Sequence, residues 1–292
     1  MSQPQRYGLL GWPLAGSLSA AMHNAAFAAL GIAATYEDRP TPPERLADAL
    51  AALRQGELAG VNVTVPHKVA IRPLLDDEDD VATAIGAVNT VISNGSGLLG
   101  HNTDAAGFMA ALEELGLAGT GLGRQAVVLG SGGAARAVVH VLASNGWSVR
   151  ILSRSSGQSA VVAASASRQH PGAVLSTGRL YPDDLVAAAK EAELLVNATP
   201  VGGVNSPTDS LWPSKTPLPS RLTVLDLVAF PAVTPLVTAA RDDGCTAAGG
   251  QAMLLGQAAA AFQLWTGQPA PVQVMRAALD QALATGGSEA LP

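Results

Sequence analysis

Apolar and polar positions along this chain repeat with two periods, and the switches between them mark out its elements. Residues 7–10 form a short apolar run that predicts a strand, closed by the turn Gly11-Trp12-Pro13. Residues 20–30 predict a helix that Gly31 ends. A second helix is predicted over 44–54, where Leu46, Leu50 and Leu53 recur at helical spacing. From Gly60 the period becomes two. Val61, Val63 and Val65 fall on one face and Asn62 and Thr64 on the other. Pro66 stops this strand and leaves His67 and Lys68 at its C-terminal edge.

Short helices follow over 70–75 and 80–84, then strands over 88–92 and 98–99 about an Asn94-Gly95 turn. A helix over 105–115 leads into a glycine-rich link, 116–123. Beyond it the chain turns rich in Ala and Val, as a buried parallel sheet flanked by helices requires. Strands are predicted over 125–129, 148–152, 194–197 and 223–227, with a helix from the glycines at 130–133 to about 145. This βα order outlines a doubly wound nucleotide-binding domain. From about 235 the pattern is helical, strongest over 253–265, and residues 286–292 are expected to fray.

Composition narrows the class. Of 292 residues, 48% are hydrophobic, enough to fill two cores of ordinary domain size. No run is apolar and long enough to cross a bilayer, and the polar start at 1–6 does not read as a signal peptide. A net charge of -6 with no basic concentration argues against a nucleic-acid partner. The single cysteine, Cys245, cannot form an internal disulfide and suits a reducing cytoplasm as a small hydrophobe. His23, His67, His101, His140 and His170 show no zinc-ligand spacing, so no metal is expected.

The sharpest local motif is Val127-Val128-Leu129-Gly130-Ser131-Gly132-Gly133-Ala134-Ala135. Gly130 permits a tight turn, Gly132 lets backbone approach a pyrophosphate, and Ala135 allows close helix–strand packing. Free amides at the helix start would then face the anion. At the end of the next strand, NAD sites carry an acid; this chain has Ser153-Arg154-Ser155. Arg154 suits the 2′-phosphate of NADP, and Ser153 or Ser155 can add a donor. Gln158 is neutral where a second basic group would have strengthened that choice.

A second set of polar residues gathers at predicted strand ends: Ser17, Ser19, Asn24, Asn62, Thr64, Lys68, Asn89 and Asp104. Hydroxyls and amides both donate and accept, which suits a multiply hydroxylated ring. A lysine can protonate an oxygen that becomes an alkoxide on hydride transfer, and an aspartate can steady that cation. On local grounds Lys68 also reads as a surface lysine and Asp104 as a helix cap.

Seven runs, in order and over nearly the full length, resemble the shikimate dehydrogenase family: GWPLAGSLSAAMHN from Gly11, NVTVPHK from Asn62, IGAVNT from Ile85, GHNTDAAGF from Gly100, VLGSGGAAR from Val128, NATPVG from Asn197 and GQAMLLGQAAAAFQLWTG from Gly250. The resemblance implies a two-domain α/β protein. An N-terminal α/β substrate domain, 1–107, would be completed by C-terminal helices, 237–292, around a Rossmann-like NADP domain, 108–236. It implies Lys68 and Asp104 as the catalytic pair, with Ser17, Ser19, Asn62, Thr64, Asn89 and Gln257 on the substrate. It places Gly130, Ser131, Gly132, Gly133 and Ala134, the Ser153-Arg154-Ser155 turn, and Asn197, Thr199 and Met253 at NADP. The implied partner is a small polar hydroxylated carboxylate, handled by a cytoplasmic monomer or homodimer.

Three departures stand out. The family commonly has His-Ser-x-Ser-Pro where this chain has Gly16-Ser17-Leu18-Ser19-Ala20, and Asn-Arg-Thr where it has Ser153-Arg154-Ser155. Ala229 stands where the family usually has a tyrosine, removing a phenol from the substrate's reach. The resemblance as a whole makes shikimate the expected substrate. Quinate or aminoshikimate with relaxed cofactor choice, or an idle NADP-binding regulatory protein, are the alternatives.

Overall fold

A computed structural model describes residues 4–93, 95 and 97–286. Asn94 of the expected turn and 287–292 of the expected frayed end lie outside the described residues. The chain divides into two compact units, Met1–Gly107 with Leu255–Pro292, and Phe108–Leu254.

The first unit carries β1 (Gln5–Gly11), α1 (Ser19–Ala29), β2 (Ala34–Pro40), α2 (Leu46–Arg54), β3 (Gly60–Val63), α3 (His67–Ala70), β4 (Asp77–Glu78), α4 (Asp80–Ile85), β5 (Thr90–Ser93) and β6 (Leu98–His101), in that order. The start of α5 (Asp104–Glu114), most of α10 (Gln251–Thr266) and α11 (Val272–Ala284) belong to it too. Its sheet has the order β2-β1-β3-β5-β6-β4. β1, β2 and β3 are parallel, while β5 runs antiparallel to both β3 and β6. Leu46, Leu50 and Leu53 of α2 do face the core, against Leu10, Val61 and Val63. The opposite face is aromatic: Tyr7 and Phe27 pack with ring centroids 5.3 Å apart, and Tyr7 and Trp265 at 4.9 Å. A Cβ at Gly60 would overlap the Trp265 indole, so glycine admits that ring against the sheet.

Two details depart from expectation. β3 stops at Val63, and Val65 is 60% exposed instead of joining Val61 and Val63 in the core. β2 and β4 had no apolar run to announce them.

The second unit carries β7 (Gln125–Leu129), α6 (Gly133–Ser144), β8 (Ser148–Ser153), α7 (Ser156–Gln169), β9 (Leu175–Arg179), α8 (Pro182–Glu191), β10 (Leu194–Asn197), β11 (Thr223–Asp226), α9 (Pro235–Asp242) and β12 (Thr246–Ala248). All six strands are parallel, in the order β12-β11-β10-β7-β8-β9. Numbered from β7 within this unit, that is the 3-2-1-4-5-6 order of a Rossmann sheet read from the β9 edge. The expected return to the first unit at 237 comes later, at Leu255. The reason is β12, which pairs with β11 (Thr223↔Thr246) and keeps α9 on this sheet. No helix among the described residues is long and apolar enough to cross a membrane.

Candidate active site

Topology explains why distant residues meet in the first unit. Because β5 is antiparallel to β3 and β6, its start lies level with their ends: Thr90 pairs with Asn62 and with His101. Asn89 precedes β5, Lys68 follows β3 and Asp104 follows β6, so the three converge. Lys68 Nζ lies 2.5 Å from Asp104 Oδ2, and the two side chains are 14% and 5% exposed. Asn89 Nδ2 donates to Asp104 Oδ1 at 2.9 Å and to Thr103 Oγ1 at 2.9 Å, with Gln257 Oε1 more distant at 3.4 Å. Both Asp104 oxygens are thus turned to Lys68 and Asn89. Asp104 is the first residue of α5, not the residue that caps it. His67 is buried, and its Nε2 lies 2.7 Å from the Thr41 carbonyl, which pins the start of the short helix bearing Lys68.

The remaining polar residues of this unit fall into a braced wall. Tyr36 donates its phenol to Asn62 Oδ1 at 2.9 Å, and Asn62 Nδ2 donates to the Asn89 carbonyl at 3.2 Å and to Thr90 Oγ1 at 3.0 Å. Ser19 also bonds the Tyr36 phenol, whose pKa is pushed well above normal by burial and by the nearby Asp38. Ser17 Oγ donates to Asp38 Oδ1 at 2.9 Å. Thr64 lies just beyond β3, half-buried. Asn24 is different in kind: its amide bonds both the Tyr36 carbonyl and amide, at 2.9 and 2.8 Å, covering the free edge of β2. Behind Tyr36, the ring of His23 stacks at 4.5 Å and 14°. That histidine is fully buried, neither ring nitrogen has a partner of good hydrogen-bond geometry among the described residues, and burial lowers its pKa to about 3 against a weaker opposing interaction with Asn62. Tyr36, Asp38 and His23 were not singled out from sequence. The signal was the two-residue alternation of Tyr36 and Asp38, legible only once β2 is known.

In the second unit, Gly130 has φ +111, a conformation other residues rarely adopt, and a Cβ there would crowd the Ala198 carbonyl at 3.0 Å. A Cβ on Gly132 would meet nothing within 4 Å, so its backbone is open to a ligand. Gly132 caps α6, and the first helical bond runs from the Arg136 amide to the Gly132 carbonyl. The amides of Gly133, Ala134 and Ala135 are therefore without helical partners, as an anion site requires. Ser131 Oγ donates to Gln158 Oε1 at 3.2 Å, tying the glycine turn to the start of α7. Arg154 is exposed and has no ion pair among the described residues. Ser153 instead donates inward to the Ser155 carbonyl at 2.7 Å, and Ser155 caps α7 through Gln158. Arg179 of β9 pairs in register with Ser153 and is exposed, so two guanidinium groups stand at this strand end.

Asn197 and Thr199 form a second turn, at the end of β10. Thr199 donates both its amide and its hydroxyl to Asn197 Oδ1, at 3.0 and 2.7 Å. Asn197 Nδ2 donates to buried Asp226 at 2.8 Å, which also accepts from Thr234 at 2.7 Å. Burial raises the pKa of Asp226, and these donors oppose the rise. Met253 is buried in α10, and Ala229 is half-buried, its carbonyl accepting from Gln251 Nε2 at 2.8 Å. Among the described residues no cluster of three metal-ligating side chains occurs.

A lysine–aspartate pair in a polar wall, and a Rossmann sheet with an open anion turn, define the class of two-domain dinucleotide-dependent dehydrogenases. The family model for the shikimate dehydrogenase substrate-binding domain matches residues 9–91, and that for the shikimate 5′-dehydrogenase C-terminal domain matches 252–279. The chain is 42% identical over 277 residues to a shikimate dehydrogenase (NADP(+)) of Symbiobacterium thermophilum, covering 94% of each. It matches the shikimate 5-dehydrogenase structure from Thermus thermophilus, in complex with NADP(H) and shikimate, with a TM-score of 0.82 and 38% identity, covering 96% of this chain and 100% of that one. A quinate dehydrogenase from Corynebacterium glutamicum in complex with NAD matches with a TM-score of 0.81 and 32% identity, covering 96% and 100%. This chain belongs to the shikimate dehydrogenase family.

Proposed function

We propose that the protein reversibly reduces 3-dehydroshikimate to shikimate with NADPH, and that Lys68 and Asp104 act at the reacting oxygen. The observation that carries this reading is the Lys68–Asp104 pair, 2.5 Å apart and largely shielded from water. Bound NADPH supplies a hydride to the substrate's carbonyl carbon. Lys68 donates the proton that the resulting alkoxide needs, and Asp104 holds the ammonium in place. Asn89 in turn fixes Asp104 through its 2.9 Å bond to Oδ1. Ser17, Ser19, Asn62, Thr64, Asn89 and Gln257 supply the hydroxyls and amides that would hold the ring's carboxylate and hydroxyls. At the cofactor, the open backbone of Gly132 and the free amides of Gly133 and Ala134 suit the pyrophosphate, with Gly130 and Ser131 shaping the turn. Unpaired Arg154 suits the 2′-phosphate, between Ser153 and Ser155, and Asn197, Thr199 and Met253 complete the cofactor side. The reading extends to a cytoplasmic monomer or homodimer with no nucleic-acid partner, supported by the net charge of -6 and the single buried cysteine.

Quinate is the second reading, favoured by Ala229, which stands where the family usually has a tyrosine and so removes a phenol expected to contact shikimate. The test is turnover of shikimate, quinate and aminoshikimate, each with NADP and NAD, compared as kcat/KM. Shikimate with NADP should lead. A higher kcat/KM for quinate would replace the substrate assignment, and Ala229→Tyr would then be expected to discriminate between the two acids.

A further inference from the structure

The geometry points to Asp38 as a positioning residue that, through Ser17, makes binding of the substrate's carboxylate depend on uptake of a proton. The inference rests on the proposed placement of that carboxylate at Ser17.

Asp38 lies two residues beyond Tyr36 in β2, so both side chains leave the same face of the strand. Tyr36 braces Asn62 and Ser19, and Asp38 braces Ser17, by the 2.9 Å bond from Ser17 Oγ. A serine hydroxyl has a single hydrogen. While Asp38 is a carboxylate that hydrogen points at Asp38, and Ser17 offers only lone pairs to an incoming carboxylate. An acid also sits one hydroxyl away from the ligand's own charge. When Asp38 takes a proton it becomes the donor, and Ser17 turns its hydrogen to the ligand.

The cations near Asp38 are engaged elsewhere: Arg45, which lines the same cavity from the start of α2, pairs with Asp48 of that helix at 2.7 Å. Glu37 and Arg39 flank Asp38 in β2 and line the same cavity, where Glu37 pairs with Arg6 at 3.3 Å and with Arg39 at 3.7 Å. From β1, Arg6 is thus committed, and the Tyr7 phenol donates to Gln5. From α1 the only titratable group is His23, neutral and buried. Tyr36 is a neutral phenol. Asp38 has no cation paired with it among the described residues, and burial lifts its carboxyl above the ordinary range despite the Ser17 bond.

The test is calorimetry of shikimate binding in the presence of NADPH, a pair that cannot turn over, in two buffers of different ionisation enthalpy across pH 5–9. Wild type should take up about half a proton per shikimate bound around the Asp38 titration, with Kd rising by about tenfold in all across it and then levelling off. Asp38→Asn presents an amide donor to Ser17 at every pH. It should bind without proton uptake, show a flat Kd profile, and bind roughly tenfold tighter than wild type at pH 8. In a Ser17→Ala background the Asp38→Asn effect should vanish, which a purely structural role would not produce. Equal proton uptake and equal pH slopes in wild type and Asp38→Asn would overturn the proposal while leaving shikimate turnover, measured in parallel, to stand. Absent turnover with the expected binding pattern would overturn the functional reading and keep the role of Asp38. No shikimate binding by either folded protein would overturn both.

Discussion

Acid should unfold this protein through His23, and the size of the effect can be worked out. The ring is fully buried against Tyr36, and burial lowers its pKa from 6.5 to about 3. Between those values the unfolded chain binds a proton that the folded chain refuses. Stability therefore rises with pH across this window and is lost as pH falls through it. One proton difference corresponds to about 1.4 kcal/mol per pH unit, so His23 alone should cost about 1.3 kcal/mol between pH 5.5 and 4.5. His23→Phe keeps a ring in the stack and removes the titration. Urea unfolding followed by intrinsic fluorescence at both pH values, for wild type and variant, isolates the term as a difference of differences. The variant should lose about 1.3 kcal/mol less over that interval. An equally steep loss in both proteins would mean that His23 is reached by water in the folded state, and the argument would fail.

Lys68→Ala should fold and bind NADPH yet lose roughly 10²-fold or more in kcat, read in single-turnover kinetics, because the proton donor at the reacting oxygen is gone. Near wild-type turnover would remove Lys68 from catalysis. Arg154→Ala should weaken NADP by about tenfold relative to NAD, since its exposed guanidinium sits at the lower end of charge-assisted bonds. Binding titrations that show equal losses for both nucleotides would reject it as the 2′-phosphate contact. Gly60→Ala should destabilise the first unit by about 1–3 kcal/mol, by forcing the Trp265 indole off the sheet and breaking its 3.2 Å bond to the Val91 carbonyl. An unchanged urea midpoint would contradict that close approach.

What the sequence left illegible has a common physical cause. β2, β4, β9 and β12 had no apolar run to betray them, and they are the four outermost strands of the two sheets. An edge strand exposes one side to water and carries polar residues, as Thr-Tyr-Glu-Asp-Arg does in β2 and Ser-Thr-Gly-Arg in β9. Central strands such as β7 and β10 are buried on both faces and read directly as hydrophobic runs. The cost of missing β2 was greatest, because Tyr36 and Asp38 brace the polar wall from it. Lys68, Asp104 and Asn89 were legible as residues, but only the antiparallel β5 explains why they meet. The Asp226–Asn197 bond escaped notice because its partners end different strands, separated by the long segment between β10 and β11.

The division of the chain at Gly107 and Leu254 has a consequence for biosynthesis. The second unit is one continuous stretch, whereas the first is interrupted by it. Phe27 packs on Phe262 at 5.3 Å and Tyr7 on Trp265 at 4.9 Å, so on the ribosome the residues of β1 and α1 wait for those of α10, made after the whole second unit. Domains generally fold as units as they emerge. A chain released after Leu254 should therefore keep the NADP affinity of its second unit and lack a cooperative unfolding transition for the first, which nucleotide titration and urea unfolding would read separately. In the growing chain, the half of the enzyme whose synthesis begins first is the half whose folding ends last.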